Sequence, residues 1–304
     1  MAETKMILAA GHILADIRVR VDEISSSDQF NEVRELSYGV GGSAANVSIG
    51  VRRLGGCCML LGKIGMDEFG RMAVDEILRE KVPLDEVRVD LVKRTGYTII
   101  IINRHGEVFM FGRKEAAEAL APEDVANISL QEYQAVHIAS LRVDTAAKIA
   151  SSARGAGIFV TFDPGRLLIN KGIGHIKPVL EHVDLLSLNG KEARTLTGHE
   201  DPELAASSLI KQGARSVVVK LGERGVYFSD GKSGKLVPAF KVEAIDTTGA
   251  GDAFASGMIM ALGDGEGLAE AIRFANAVAA LKVTRLGSHE TPTKREVEDF
   301  LAKN

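Results

Sequence analysis

The sequence predicts an α/β fold: a doubly wound, mostly parallel sheet flanked by helices, with a small β-sheet lid. Three observations carry this reading. Short apolar runs alternate with amphipathic helical patterns over most of the length, two stretches break that rhythm, and the chain from residue 250 onward reads as helix. Strand–helix–strand alternation implies parallel strands with crossover helices on both faces.

The runs MILAAG (6–11), CCMLLG (57–62), AVHIAS (135–140), IFVTFD (158–163), VDLLSL (183–188) and SVVVKLG (216–222) read as buried strands. Helix candidates lie between them at 43–54, 68–80, 144–155, 171–182, 190–197 and 203–212. The rhythm breaks at 17–38, where IRVRVDEI and FNEVRELSY flank a Ser-rich turn. It breaks again at 97–111, where YTIIIINRHGEVFMF turns at His105-Gly106 as a hairpin. These segments, about 17–38 and 92–112, are expected to form a small antiparallel sheet that acts as a lid. The closing helices are expected at 250–262, 266–283 and 293–302, the last opened by Thr293 and Glu296 in capping-box spacing after Pro292. With no repeat, low-complexity tract or linker, residues 1–304 read as one domain with an appended lid.

Composition narrows the function classes. A hydrophobic fraction of 45% and a charged fraction of 26% suit a water-soluble globular protein. A net charge of −4 offers no electrostatic reason for nucleic acid or an anionic membrane as partner. No apolar run reaches the length of a membrane span, and MAETKMILAAG lacks the pattern of a signal peptide, so a cytoplasmic location is expected. The two cysteines, Cys57 and Cys58, are adjacent and read as small buried residues of a strand rather than as a disulfide or zinc site.

Several motifs can carry chemistry. GVGGSAAN (39–46) fits the G-x-G-x-x-A dinucleotide fingerprint, but residues 12–38 separate it from the first strand, whereas that fingerprint follows its strand directly. Alternatively, Gly41 and Gly42 allow close backbone approach to a polar ligand, with Asn46 offering both a donor and an acceptor to a sugar hydroxyl. Asp16, shortly after the first strand, is placed to accept hydrogen bonds from hydroxyls, or is a solvated loop carboxylate. In SLNGKEARTLTG, Asn189 and Glu192 stand one helical turn apart, as Mg²⁺-organising oxygens or as a helix cap. VVVKLGERG ends a strand at Lys220 and turns through Gly222 and Gly225, either to receive a nucleotide or simply as a hairpin; no Walker A motif occurs.

The segment AIDTTGAGDAF (244–254) is the most informative. Asp246 and Asp252 bracket a stretch almost without side chains, at the start of a helix. Backbone N–H groups of Gly249, Ala250 and Gly251 at that helix N-terminus make an anion hole for developing phosphoryl charge. Asp252, with an unperturbed pKa of about 3.9, is ionised at neutral pH and able to accept the proton of an attacking hydroxyl.

Two of these segments, GGSAANVSIGVRRLGG (41–56) and DTTGAGDAFASGM (246–258), match both signatures of the ribokinase-like, or PfkB-type, carbohydrate kinases, which the whole chain resembles. NGKE (189–192) resembles the family's N-x-x-E motif and KLGERG (220–225) its nucleotide-side turn, all in family order. The resemblance implies an ATP-dependent kinase of a sugar or sugar-like alcohol, with Asp252 as catalytic base and Gly249, Ala250 and Gly251 as the anion hole. It implies that Asn189 and Glu192 organise Mg²⁺ through water, and that Asp16, Gly41, Gly42 and Asn46 hold substrate hydroxyls. Lys220, Gly222, Gly225 and Asn276 would flank the nucleotide. Asp246, Thr248 and Gly287 occupy the positions where family members often bind a potassium-like ion. The small sheet can alternatively serve as an edge or dimer surface, and a homodimer through the lid sheet is expected on that reading.

The substrate is less sharply marked. Ribokinases commonly have Lys after the double Gly, and Ser43 stands there instead. VFMFGRKEAAEALAPEDV resembles part of the 2-keto-3-deoxygluconate kinases, which casts Arg113 as partner of an acidic sugar; FDPGR adds Arg166 less directly. The candidates are therefore 2-keto-3-deoxygluconate or a related sugar acid, ribose, fructose or a nucleoside. Two competing classes remain: a nicotinamide-dependent oxidoreductase resting on GVGGSA, and a non-catalytic sugar- or nucleotide-binding regulator on the same framework.

Overall fold

The computed structural model describes residues 6–24 and 29–304. The chain opens with β1 (Met6–Gly11), β2 (Leu14–Val21) and β3 (Val33–Gly41). Helix α1 (Ser43–Arg53), β4 (Cys58–Gly65) and α2 (Glu68–Arg79) follow, then β5 (Val87–Asp90) and a hairpin of β6 (Thr95–Ile102) and β7 (Val108–Glu115). Next come β8 (Tyr133–Ala139), α3 (Val143–Gly155), β9 (Phe159–Asp163), α4 (Gly165–Ile169) and α5 (Ile173–Leu180). β10 (Leu185–Asn189), α6 (Gly190–Thr197), α7 (Pro202–Lys211) and β11 (Ser216–Lys220) continue the alternation. β12 (Val226–Ser229) and β13 (Gly234–Val237) precede α8 (Ala250–Gly263), α9 (Leu268–Val283) and α10 (Lys294–Leu301).

Among the described residues the main sheet has nine strands in the order β13-β12-β11-β10-β9-β8-β1-β4-β5. It is parallel apart from β12 and β13. The chain enters at β1, walks one way to β5, then returns to β8 and walks the other way. Strand order therefore reverses at β1, and the carboxyl ends of β1 and β8 border the crevice where open sheets take ligands. Alternation along β1 sends Ile7 and Ala9 to one face and Leu8 and Ala10 to the other. The first face packs against α1 and α8 through Val47, Val51 and Ile259, the second against α3 and α5 through Ile149 and Val179. Each Ile or Leu buried this way contributes roughly 1.5–3 kcal/mol.

Helices α1 and α8 cross closely because small residues meet there: a Cβ on Gly50 would fall 2.3 Å from Ser256 Oγ. The Ser256 hydroxyl lies 2.8 Å from the Asp252 carbonyl and 3.2 Å from the Val47 carbonyl, which tie it to both helices. This crossing carries the first turn of α1 to the first turn of α8.

The other four strands form a separate sheet, β3-β2-β6-β7, in which only β2 and β6 run parallel. One face of this sheet turns toward the main body. The other exposes Leu36, Tyr38, Phe109 and Phe111. The expected hairpin forms, closed by Gly106 N–H donating to the Asn103 carbonyl at 3.0 Å. The capping box of Thr293 and Glu296 also forms. The Ser-rich turn at 25–28 lies outside the described residues.

Three local expectations are corrected. Asp16 sits inside β2, not in a loop, because β2 starts only three residues after β1 ends. The helix expected over 171–182 begins at Ile173, after a Gly172 in the left-handed region at φ 86°, and ends at Leu180. Cys57 precedes its strand and is half-buried; only Cys58 is buried. Among the described residues no helix is long and apolar enough to cross a membrane.

Candidate active site

A cleft of about 170 Å³ opens between the carboxyl ends of the main strands and the inner face of the small sheet. His12 and Ser140, just past β1 and β8, form part of its floor. Ser43 and Asn46 enter from α1, Gly249 and Asp252 from α8, and Asp16, Met110 and Lys114 from the small sheet.

Asp252 and Asn46, 206 residues apart, meet at the α1–α8 crossing: Asn46 Nδ2 donates to Asp252 Oδ2 at 2.7 Å. Burial pushes the Asp252 carboxyl up to about 6, against the opposing pull of the Asn46 hydrogen bond. Asn46 Oδ1 is buried with no hydrogen-bond partner, so it is open to a hydroxyl from the cleft. Removing the Nδ2 donor should raise the Asp252 pKa further. In Asn46→Ala the acid limb of kcat/KM is therefore expected to move upward from pH ~6 toward neutrality. A limb that stays in place or moves down would show that this contact does not tune Asp252.

The N-terminus of α8 departs in one respect from its sequence reading. Ala250 N–H donates to the Thr247 carbonyl at 3.2 Å, closing a turn. It is therefore not one of the open donors. Gly249, Gly251 and Asp252 keep N–H groups with no partner among the described residues. Gly249 takes the left-handed conformation, φ 77°, and a Cβ there would fall 1.9 Å from the Ser288 carbonyl oxygen.

Asp16 is held at the other side of the cleft. Ser288 Oγ lies 3.2 Å from its Oδ2, and Arg18 Nη2 reaches Ser288 Oγ at 2.6 Å and Asp16 Oδ2 at 3.5 Å. Burial raises the Asp16 pKa, opposed by Arg18. Gly41 makes room for this carboxylate, since a Cβ would fall 2.2 Å from Asp16 Oδ1. Gly42, at φ 92°, packs against the His12 carbonyl, where a Cβ would come within 2.4 Å.

Beyond Asp252 lies a charged cluster at three strand ends. Lys220, at the end of β11, donates to Asp163 Oδ2, at the end of β9, at 2.7 Å. Burial would lower the Lys220 pKa, but the carboxylates of Asp163, Glu192 and Asp252 together outweigh it and raise the pKa, keeping the ammonium charged. A Cβ on Gly251 would lie 3.6 Å from Lys220 Nζ, so this cation stands beside the α8 N-terminus. Asn189 and Glu192 form a reciprocal capping box, each accepting the other's backbone N–H at 2.9 Å. Burial, then the Asp163 charge, raises the Glu192 pKa. Glu192 Oε1 stays outside the capping box, so Glu192 and Asp163 fit a water-mediated contact to Mg²⁺, which keeps several waters. Gly222 and Gly225, at φ 64° and 99°, make the turn after β11, tied by Leu221 N–H to the Gly225 carbonyl at 2.8 Å. Asn276 Nδ2 donates to the Pro238 carbonyl at 3.1 Å and lies 3.4 Å from that of Val237, so it straps α9 to the segment after β13.

Asp246, Thr248 and Gly287 come together but do not fit a monovalent cation. The two carboxylate oxygens of Asp246 accept the N–H groups of Thr248 at 2.8 Å and Gly287 at 3.0 Å. Its main-chain carbonyl accepts the ammonium of Lys282, fully buried in α9, at 2.8 Å. The chain thus supplies its own cation at this loop, and a second positive charge beside it would be repelled. Turnover is accordingly expected to be the same with K⁺ or tetramethylammonium as counter-ion, while Lys282→Ala should create a requirement for K⁺. Strong K⁺ activation of the wild-type protein would refute this.

Arg113 is the remaining correction. It pairs with Tyr97 across the hairpin, and its side chain, 72% exposed, bonds Glu115 at 2.9 Å. It lies away from the cleft; its neighbour Lys114 takes the cleft face. Asp163, Lys114, Lys282 and Ser288 were not anticipated from sequence as parts of this neighbourhood.

A profile described as "pfkB family carbohydrate kinase" matches residues 4–295. The chain belongs to the PfkB carbohydrate kinases. Among PfkB relatives, an "ATP-dependent ribose-1-phosphate kinase" of Halopiger xanaduensis is 35% identical over 298 residues, covering 98% of each chain. "Fructokinase-2" of Oryza sativa is 30% identical, over 99% of this chain and 95% of the relative. The ribokinase of Thermotoga maritima superposes with a TM-score of 0.87 at 28% identity, over 99% of this chain and 100% of that one. The Arabidopsis thaliana ribokinase complexed with ribose and ATP shares the fold at TM-score 0.86 and 23% identity, over 98% of both chains. The fold is thus ribokinase-like and the protein is a sugar kinase of the PfkB family.

Proposed function

We propose that the protein transfers the γ-phosphoryl group of ATP to a hydroxyl of a monosaccharide-sized substrate, with Asp252 as the base. The observation that carries this is a buried carboxylate in the first turn of α8, flanked by unpartnered N–H groups and facing a cleft with Asp16 and Asn46. Asp16 and Asn46 orient the sugar hydroxyls, and Asp252 accepts the proton of the attacking one. As that O–H bond breaks, the sugar oxygen bonds to the γ-phosphorus and the bond from phosphorus to the bridging oxygen breaks. The electron pair leaves with ADP, and the proton passes from Asp252 to solvent. Developing charge on the phosphoryl oxygens meets the N–H groups of Gly249 and Gly251 and the Lys220 ammonium. Asn189, Glu192 and Asp163 would hold the water shell of a nucleotide-borne Mg²⁺, which would supply neutralisation of phosphate charge.

The turn of Gly222 and Gly225 leaves open backbone on the Lys220 side, where the nucleotide enters. The small sheet covers the sugar side as a lid, and its apolar outer face suits a second copy of the chain. The oxidoreductase alternative loses its support, because Gly39 and Gly41 end β3, a strand of the small sheet, so the turn into α1 does not follow a strand of the main parallel sheet. The test is an ATP-consumption screen over ribose, fructose, ribose 1-phosphate, 2-keto-3-deoxygluconate and nucleosides. ATP consumption dependent on one of the sugars is expected; none with any of them would overturn the proposal.

A further inference from the structure

The cleft has a cation that phosphoryl transfer does not use. Lys114 projects from β7 into it, half-buried, and among the described residues its ammonium makes no hydrogen bond or close ion pair. Lysines on edge strands commonly face solvent and block further pairing. This one faces inward on the same side as Asp16: Asp16 is level with Thr98, and Thr98 with Gly112, so Lys114 stands one step further along that inner face. The charges around it come from three elements. Asp16 on β2 and Glu118, just past β7, attract it, and His12 after β1, whose Nε2 is 3.3 Å from Glu118 Oε2, lies beside them.

The cleft therefore has a definite order of charge. At one end stand the α8 N-terminus and Lys220, which meet the phosphoryl donor. In the middle are the carboxylates of Asp252 and Asp16, suited to hydroxyls. At the other end stands Lys114. A neutral sugar satisfies the middle and leaves the Lys114 ammonium, partly desolvated, with no hydrogen-bond acceptor of its own among the described residues.

Building on the sugar-kinase reading, we infer that Lys114 is an anion subsite, and that the acceptor is a small sugar phosphate whose phosphate lies at the opposite end from the hydroxyl to be phosphorylated. An ammonium acts as a point charge with three donors, so a phosphate dianion is held more strongly than a singly charged carboxylate; the other cation of this strand segment, Arg113, points away.

The test compares kcat/KM for ribose 1-phosphate, ribose and 2-keto-3-deoxygluconate in wild type, Lys114→Met and Lys114→Arg. The wild type should prefer the sugar phosphate. Lys114→Met should cut the ratio of sugar-phosphate to neutral-sugar kcat/KM by roughly 10–100-fold, the value of one charged hydrogen bond, mainly through KM. Lys114→Arg should restore part of it. Loss that falls equally on charged and neutral sugars would reduce Lys114 to a counter-charge for Asp16 and overturn the subsite. A preference for 2-keto-3-deoxygluconate that Lys114→Met abolishes would replace the phosphate by a carboxylate and overturn the substrate class. Kinase activity on a neutral sugar, with no preference for the phosphate, would refute this inference while leaving the sugar-kinase reading intact.

Discussion

Asp252→Asn is expected to lower kcat by on the order of 10²–10⁴-fold while ATP still binds with near-normal affinity by calorimetry. Asn is nearly isosteric with Asp and sits within reach of Asn46, but it accepts no proton. The wild type should also lose activity as pH falls. Asp252 must be ionised to act as a base, and its pKa is raised to about 6, so kcat/KM should fall progressively below that pH. In Asp252→Asn the residual rate should no longer show that limb. Near-normal turnover in the variant, or an unchanged limb, would remove Asp252 from the mechanism.

The second large effect is expected at Gly249. Gly249→Ala forces an L side chain into a left-handed backbone at φ 77° and drives a methyl to within 1.9 Å of the Ser288 carbonyl oxygen. The loop must move, and it carries both the Gly287 N–H bonded to Asp246 and the Ser288 hydroxyl bonded to Asp16. Misplacing the donors at the α8 N-terminus should cost roughly 10²–10³-fold in kcat. Stability should fall by about 1–3 kcal/mol, read as a lower denaturation midpoint. Gly251→Ala is the control, because its Cβ meets Lys220 Nζ only at ordinary contact distance, 3.6 Å. Equal activity in the two variants would show that the close approach at Gly249 is not what positions the donors.

Much of this site was legible because its motifs are local. The small residues before Asp252 announce a helix N-terminus with open backbone, and alternating apolar runs announce parallel strands. What escaped depended on phase or on distance. In VFMFGRKE both Arg113 and Lys114 are charged, and only the hairpin register, Tyr97 opposite Arg113, decides which faces the cleft. Asp163 ends its strand much as Lys220 does, but their pairing skips over β10 and has no trace in sequence spacing. Lys282 lies in an apolar helix, where only the fold shows that its ammonium ends on the Asp246 carbonyl. The upward shift of Asp252 is a property of burial, and burial belongs to the crossing of α1 and α8.

The origin of the cleft's walls along the chain bears on how the site can change. His12, Asp16, Asn46 and Lys114 all precede α3, whereas Asp163, Glu192, Lys220 and the α8 N-terminus all follow it. The residues proposed for acceptor recognition and those proposed for phosphoryl donation thus come largely from consecutive stretches of the chain. On that proposal, substitution at Lys114 can change the choice of sugar with the transfer apparatus left in place, whereas Asn46, bonded to Asp252, and Asp16, bonded to Ser288, tie the two stretches together.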